Sequence, residues 1–548
     1  MIAVAARRST GHVSAWLLAA LVSAPLAAVA LNLLLPRVDV WRHLANTILW
    51  ELTWNTGWLL VGVGLGAGTL GTGLAWLTVT HRFPGRRVFE WALMLPLAIP
   101  AYVMGFVFVA LLEYSGPVQS FIRAAVTPSI QWPDVRSGWG LVIVLSLVLY
   151  PYPYLMARSA FATLGAAPVE AARSLGLGPR QTFWRVALPL ARPAIAVGVA
   201  LALMEALADF GTVSLFDYRT YTVGIYRVWF GMFDRVAAGQ LSLVLLVWAF
   251  ALFTIERTQR KRRRYTQTHG RVAADVWPPL HGWRAWLSTL ACLTVFSVAF
   301  LVPLITLVWW SFTPDLGRAA TTLLPLAINS VSLAALAAIL CVAAGLLLAY
   351  ARRRSTSRGL HLATQIAGLG YAMPGSVVAV GVLAILSGMD RTVADVFQRI
   401  FGRDVGLLAT STGIGLLFAY VVRFIALGFH PTEAGLSRIP RSVDESAASL
   451  GATPGRLVRE LHLPLLRAPL TAAALLVFLD VMKELPATML IRPLGWDTLA
   501  VGVWQMTTES LWRDAALPAL TIVAAGLPAV ICLIHLGTSN RALGEAAS

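Results

Sequence analysis

The chain has 548 residues, 58% hydrophobic and 13% charged, with a formal charge of +17. A soluble globular protein carries about a quarter charged residues, so this composition, with a mean hydropathy of +0.72, excludes one and indicates an all-α polytopic membrane protein. The basic excess is almost all arginine, since Lys261 and Lys483 are the only lysines; it clusters in short loops, which positive-inside topology explains without nucleic acid.

Arg7 and Arg8 precede an apolar run, 16–35. A signal peptide cleaved after AVA (28–30) fits the same residues, but the run is about 20 residues long, enough to span uncleaved. It is taken as the first span. Eleven more follow near 54–80, 91–112, 138–156, 194–214, 239–255, 284–311, 325–350, 362–388, 408–427, 469–490 and 513–536. Loops 81–90, 157–193, 256–283, 351–361 and 428–468 then face the cytoplasm with both termini, and they hold most of the arginine. The basic break that opens ERTQRKRRR at Glu256 divides the chain. The expected organisation is two fused six-helix repeats: a first transmembrane domain (1–262), a basic cytoplasmic linker (263–283) and a second transmembrane domain (284–548). Cys292, Cys341 and Cys532 lie in apolar segments without CxxC spacing and give no disulfide framework or metal motif.

One polar stretch is written twice. EAARSLGLGPRQTFWRVALPL (170–190) returns as ESAASLGATPGRLVRELHLPL (445–465). Glu170, Gly176, Pro179, Leu188 and Pro189 recur as Glu445, Gly451, Pro454, Leu463 and Pro464, at a constant separation of 275. Local chemistry predicts a short helix over 170–175, a left-handed stop at Gly176 and a new helix opening at Pro179. Pro189 predicts a bend into the fifth span. Ala171 and Ala172 offer a small-residue face to a partner's groove, with Glu170 as a fixed charge beside it. Ordinary interhelical connections are shorter. LAIPAYVMGF (97–106) and YAMPGSVVAV (371–380) form a second repeated pair, with Pro100 and Pro374 at nearly the same separation. Duplication in transporters places the pathway between the repeats.

The pattern E-A-A-x3-G followed by L-P resembles the coupling loop of binding-protein-dependent ABC importer permeases. The likeness covers nearly the whole chain: LPLAIPAYVMGF, ALADFGTVSLF, YTVGIYRVWFGM, YAMPGSVVAVG and KELPATMLIRPLGWDTLA resemble the fused, two-domain ferric-iron permeases. It implies that Glu170, Ala171, Ala172 and Gly176, with Glu445, Ala447 and Gly451, seat an ATPase subunit on each loop. Ser446 departs from the pattern by one small-for-small change. Two loops imply two copies of the ATPase, and the family implies one periplasmic or extracellular substrate-binding protein and an inner-membrane location. Neither lysine fits G-x4-G-K-[ST]: Lys261 lies in RKRRR and Lys483 in MKELP. The chain is therefore expected to be no enzyme and to bind no cofactor, with ATP and Mg on the partner.

An ionisable side chain at the bilayer centre costs about 2.5–3.5 kcal/mol, so each is a functional candidate. MEALADFG carries Glu205 and Asp209; LDVMKELP carries Asp480 and Glu484, acid for acid 275 residues on. Two readings stand. Lys483 and neighbouring polar groups neutralise these acids as interhelical glue or helix-end anchors, or the four carboxylates line a cation route, since hard cations take oxygen ligands and transport needs weak binding. Arg423 is either a partner for one acid or a snorkelling residue. Arg219, Arg227, Arg235 and Arg492, in the outer loops after these helices, are candidates for docking the binding protein or ordinary loop charge. Ferric iron is the first expected cargo. Alternatives are thiamine or a phosphonate, or an ion-coupled secondary transporter, which leaves the two matched loops unexplained.

Overall fold

The computed structural model describes residues 2–125, 133–164, 167–263, 280–312, 316–355, 357–402 and 406–546, and all regular structure among them is helical. Ten helices are long and apolar enough to cross a bilayer, and two bent pairs bring the number of spans to twelve. In chain order they are α1 (Val13–Leu34), α2 (Leu49–Thr80), α3 (Ala101–Ala125), α4 (Gly138–Leu149 with Pro151–Thr163), α5 (Pro179–Ala208) and α6 (Arg235–Arg260). The second set is α7 (Trp283–Ser311), α8 (Thr321–Arg354), α9 (Gly375–Phe401), α10 (Ile414–Ser437), α11 (Leu457–Leu465 with Arg467–Met482) and α12 (Trp512–His535). Each falls on a span read from hydropathy. Large apolar side chains such as Val61, Leu65, Val247, Trp309 and Ile339 remain exposed, as a lipid-facing surface requires. The linker expected at 263–283 falls largely on 264–279, outside the described residues.

The third and ninth spans start later than hydropathy suggests. Straight helix begins at Ala101 and Gly375; before each lies a short 3-10 turn, Leu95–Ala98 and Gly368–Ala372. The cause is proline. Pro100 (φ −60, ψ 147) and Pro374 (φ −57, ψ 140) are extended, and each forces its predecessor, Ile99 or Met373, out of the helical region. Leu95, Ala98 and Ile99 stay buried, so the break is invisible to hydropathy. Broken helices inside a transporter belong where the backbone is covered by protein or lines a cavity.

The bend expected at Pro189 is absent. α5 runs unbroken from Pro179 to Ala208, whereas α11 turns by 70° between Leu465 and Arg467. Both helices carry a π-helical turn just before the proline, Phe183–Ala187 and Leu457–His462. A widened turn relieves the clash between a proline ring and the preceding carbonyls in both copies, and the 70° turn of α11 comes after its proline, at Leu466.

The two sequence halves interlock. α1 lies against α8, α9 and the Arg358–Ala367 helix of the second half, burying Ala15, Ala19, Val22 and Val29; α7 reaches α3 and the Arg86–Ala92 helix of the first. α6 meets α9, and α12 meets α3, so the interface repeats about a pseudo-two-fold axis. The ends of α5 and α11 line one cavity with residues 99–102.

One buried acid holds a loop. Asp390 in α9, 2% exposed, accepts hydrogen bonds from the backbone N–H of Leu408 (3.1 Å), Ala409 (2.6 Å) and Thr410 (2.9 Å) and from the Thr410 hydroxyl (2.6 Å). Hydrogen bonds to a charged group contribute about 1.5–3 kcal/mol each. Asp390→Ala is expected to cost at least about 3 kcal/mol, seen as a lower unfolding temperature; an unchanged midpoint would show that the loop does not depend on this carboxylate.

Candidate functional site

Two surfaces gather the residues singled out from sequence. The first is cytoplasmic in the topology read above. Helices Ala167–Ser174 and Arg441–Ser449 lie across it, each ended by a left-handed glycine, Gly176 (φ +81) and Gly451 (φ +79). The closing hydrogen bonds are the same in both copies, Leu177 N–H to Ala172 O and Ala452 N–H to Ala447 O, each 3.0 Å. Both glycines have open space around them, so backbone conformation alone demands them.

Glu170 and Glu445 are exposed and have no hydrogen bond or ion pair among the described residues. The alanine face is divided: Ala171 points outward, while Ala172 is buried and Ala447 half-buried. What the helices present instead is a leucine. Leu175 is 82% exposed and Leu450, its repeat, 88%. The separation of 275 relates these two as well, a signal available in the sequence.

The copies differ in their anchorage. Asp444 takes a bidentate ion pair from Arg353 at the end of α8 (2.7 and 2.8 Å) and contacts His462 Nε2 at 2.9 Å. Burial opposes the charge on Asp444, but the hydrogen bonds and positive field of Arg353 and His462 outweigh it and hold its carboxyl below the usual range. Arg353 also donates to Leu436 O and Ile439 O (2.6 and 3.0 Å). The first half has Val169 and Ala187 in place of Asp444 and His462, so the acid and the imidazole of this clamp are not repeated.

The second surface is a cavity of about 100 Å³ between the halves, lined by Glu205, Asp209, Asp480 and Glu484 together with Lys483 and Arg423. All four acids predicted from the repeat converge there. Asp209 accepts from Val213 N–H (3.0 Å) and the Thr212 hydroxyl (2.8 Å), closing the short helix Gly211–Leu215. Glu484 accepts from Ala487 N–H (3.0 Å) at the start of helix Pro486–Ile491, its repeat. Both are helix-end anchors. Arg423 is the partner of Glu484, in an ion pair 8% and 5% exposed, and does not snorkel. Lys483 binds Asp480 (2.8 Å). Glu205 takes a hydrogen bond from the Tyr371 hydroxyl of the other half (3.1 Å).

Among the described residues no three His, Cys, Asp or Glu side chains converge as a ready metal cage. Asp480 and Glu484 are instead each paired with a base, Lys483 and Arg423. Tyr102 and Tyr152, which the sequence did not single out, also line the cavity. Beyond it, on the side of the loops that follow α5 and α11, Trp504 Nε1 donates to Ser214 Oγ across the halves (3.0 Å), with Phe210 and Tyr226 packed around the indole.

Those loops carry the four candidate docking arginines, and each has a contact within the chain. Arg219 pairs with Glu51 (3.1 Å), Arg227 with Asp217 (3.1 Å) and Arg492 with Asp497, while Arg235 lies over Trp229 at 5.5 Å.

A duplicated six-helix unit, two matched surface helices and a polar cavity between broken helices are the features of a membrane permease. Sequence comparison places it: the chain belongs to the family of binding-protein-dependent transport system inner membrane components, which matches residues 64–255 and 342–543. It is the transmembrane subunit of an ABC importer. Among its relatives is the Fe(3+)-transport system permease protein FbpB 2 of Haemophilus influenzae, 29% identical over 87% of this chain and 88% of that one. The ferric transport system permease protein FbpB of Actinobacillus pleuropneumoniae is 25% identical over 76% of this chain and 61% of its own length. The sulfate transport system permease protein CysT of Salmonella typhimurium is 27% identical over 37% of this chain and 73% of its own.

Proposed function

We propose that the chain carries ferric iron, delivered by a soluble binding protein, through the cavity between its halves, driven by two copies of a separate ABC ATPase seated on Glu170, Leu175, Glu445 and Leu450. The N- and C-termini lie in the cytoplasm with these helices. The observation that carries the cargo is the cavity wall: four carboxylates against two basic side chains, a field that attracts a hard cation and repels an oxyanion such as sulfate. The ferric-transport relatives that match along most of this chain point the same way.

The outer arginines would meet acidic residues of the binding protein. Arg227 and Arg235 are the better placed of the four. Among the described residues Arg227 pairs with Asp217, itself 76% exposed, and Arg235 makes a ring contact with Trp229; both can re-pair without leaving a buried charge behind.

The test is reconstitution in liposomes with the ATPase and the cognate binding protein. ATP-dependent uptake of ferric iron is expected, with none of thiamine or 2-aminoethylphosphonate. The permease alone should hydrolyse no ATP and move no iron under a proton or sodium gradient. Uptake of either organic cargo without iron would overturn the assignment, and gradient-driven transport would overturn the energy source.

A further inference from the structure

The four cavity acids are not equivalent. Asp209 and Glu484 are turned to the N-termini of the two short helices that follow them, each accepting a backbone N–H. Glu205 and Asp480, one turn earlier, hold no backbone group among the described residues. Glu205 meets the Tyr371 hydroxyl, and its charged neighbours are Asp480, Lys483 and Arg423.

The bases break the symmetry. Acids occur in both halves, but 275 residues before Lys483 and Arg423 stand Ala208 and Val148, which line the same cavity. Among the described residues, no basic residue of the first half lines the cavity beside Glu205 and Asp209. The two bases differ in mobility as well. Arg423 is pinned by Glu484 and packs over Phe424 at 5.2 Å. The Lys483 side chain is 21% exposed, more than Asp480 (14%), Arg423 (10%) or Glu484 (4%), and an ammonium on a four-carbon stem swings readily.

One further group awaits a ligand. Tyr102 is 6% exposed, lines the cavity, and its hydroxyl has no hydrogen-bond partner among the described residues, with Asp209 and Glu484 as its charged neighbours. A buried hydroxyl left unpaired is costly unless something occupies the space in front of it.

We infer that Glu205 and Asp480, one from each half, form the rung that binds a hard polyvalent cation through oxygen. Lys483 is its resident counter-ion, displaced from Asp480 as the cation enters, and Asp209 and Glu484 are positioning residues that fix the short helices. This rests on the reading of the cavity as a cation route. The counter-ion solves two problems of such a rung. It keeps an empty site from holding bare carboxylates in a low dielectric, and it competes with the cargo, so that binding stays weak enough for release.

Terbium(III), a hard trivalent ion whose emission is sensitised by tyrosine, serves as the probe, titrated into the permease–ATPase complex in nanodiscs. Tyr102 and Tyr152 stand at the cavity as donors. Glu205→Gln is expected to weaken binding on the order of 100-fold, and Glu205→Asp to restore much of it. Lys483→Met should tighten binding on the order of tenfold, about 1.4 kcal/mol, while slowing uptake because release is impaired. Asp209→Ala should weaken binding by loosening the Gly211–Leu215 helix; Asp209→Asn, which keeps an accepting oxygen without the charge, should rescue it. Wild-type titration by Glu205→Gln, or weaker binding by Lys483→Met, would overturn the proposal. The outcomes also separate from those for the cargo. Terbium binding as described without ferric uptake would refute iron and keep the rung, whereas ferric uptake at the wild-type rate in Glu205→Gln would refute the rung and keep iron.

Discussion

Replacing Glu170 and Glu445 together by arginine is expected to abolish coupled transport while leaving the folded permease intact. Both carboxylates are exposed and free of partners among the described residues, so folding does not depend on them, and the unfolding temperature should not move. The proposed ATPase interface would depend on them, since a like charge placed against a complementary patch costs several kcal/mol. A loss of about 3 kcal/mol would lower ATPase association by about 100-fold. The readouts are co-purification of the ATPase and ATP hydrolysis stimulated by the loaded binding protein. Single variants should be milder, because each leaves one seat intact. Leu175→Asp with Leu450→Asp should act in the same direction, since these exposed apolar side chains flank the same carboxylates. Normal stimulated hydrolysis in the double arginine variant would remove the assigned role of both helices.

Where local chemistry decides the outcome, the sequence was sufficient. Apolar runs located twelve spans in order. Gly176 was read as a left-handed stop, and it and its repeat Gly451 both have positive φ, because a helix end flanked by proline leaves few alternatives. The repeat brought four acids into one cavity, because a duplicated fold maps equivalent positions onto a common axis. Contacts distant in sequence were not legible. Lys483 has acids at three and one residues' distance, and only the helix face decides for Asp480. Arg423 lies in α10 and Glu484 in the break after α11, 61 residues apart, and Asp444 finds Arg353 from 91 residues away. Glu205 and Tyr371 meet across the two halves. The exchange of α1 onto the second half was hidden for the same reason, since an apolar helix reads alike whichever half it covers. The 3-10 breaks before Pro100 and Pro374 were hidden because their residues stay apolar inside the protein.

Gly375→Ala is expected to be destabilising because it disturbs a buried ion pair, although it adds one methyl group. A Cβ at this position would stand 2.5 Å from Glu484 Oε1 and 3.2 Å from Ala487 N, and would also overlap Arg423 Nη1. The first half carries Ala101 after its proline, and there Val148 takes the place of Arg423. Alanine is tolerated where no guanidinium has to pass, so the glycine in YAMPGSVVAV follows from the buried pair. Prising one partner from a buried ion pair costs about 3–5 kcal/mol, because the other charge is left uncompensated. The variant should therefore unfold at a markedly lower temperature or fail to assemble with its ATPase. Adding Arg423→Val copies the arrangement of the first half. It removes the guanidinium from the overlap, so that the Glu484 carboxylate can shift away from the new methyl while Ala487 N–H still holds it, as Asp209 is held by Val213 N–H. Most of the lost stability should return in that double variant, measured as the thermal midpoint of the detergent-solubilised protein. A wild-type midpoint for Gly375→Ala alone would show that the pair has room to shift. A double variant no better than the single would show that Glu484, unlike Asp209, cannot stay buried without its arginine.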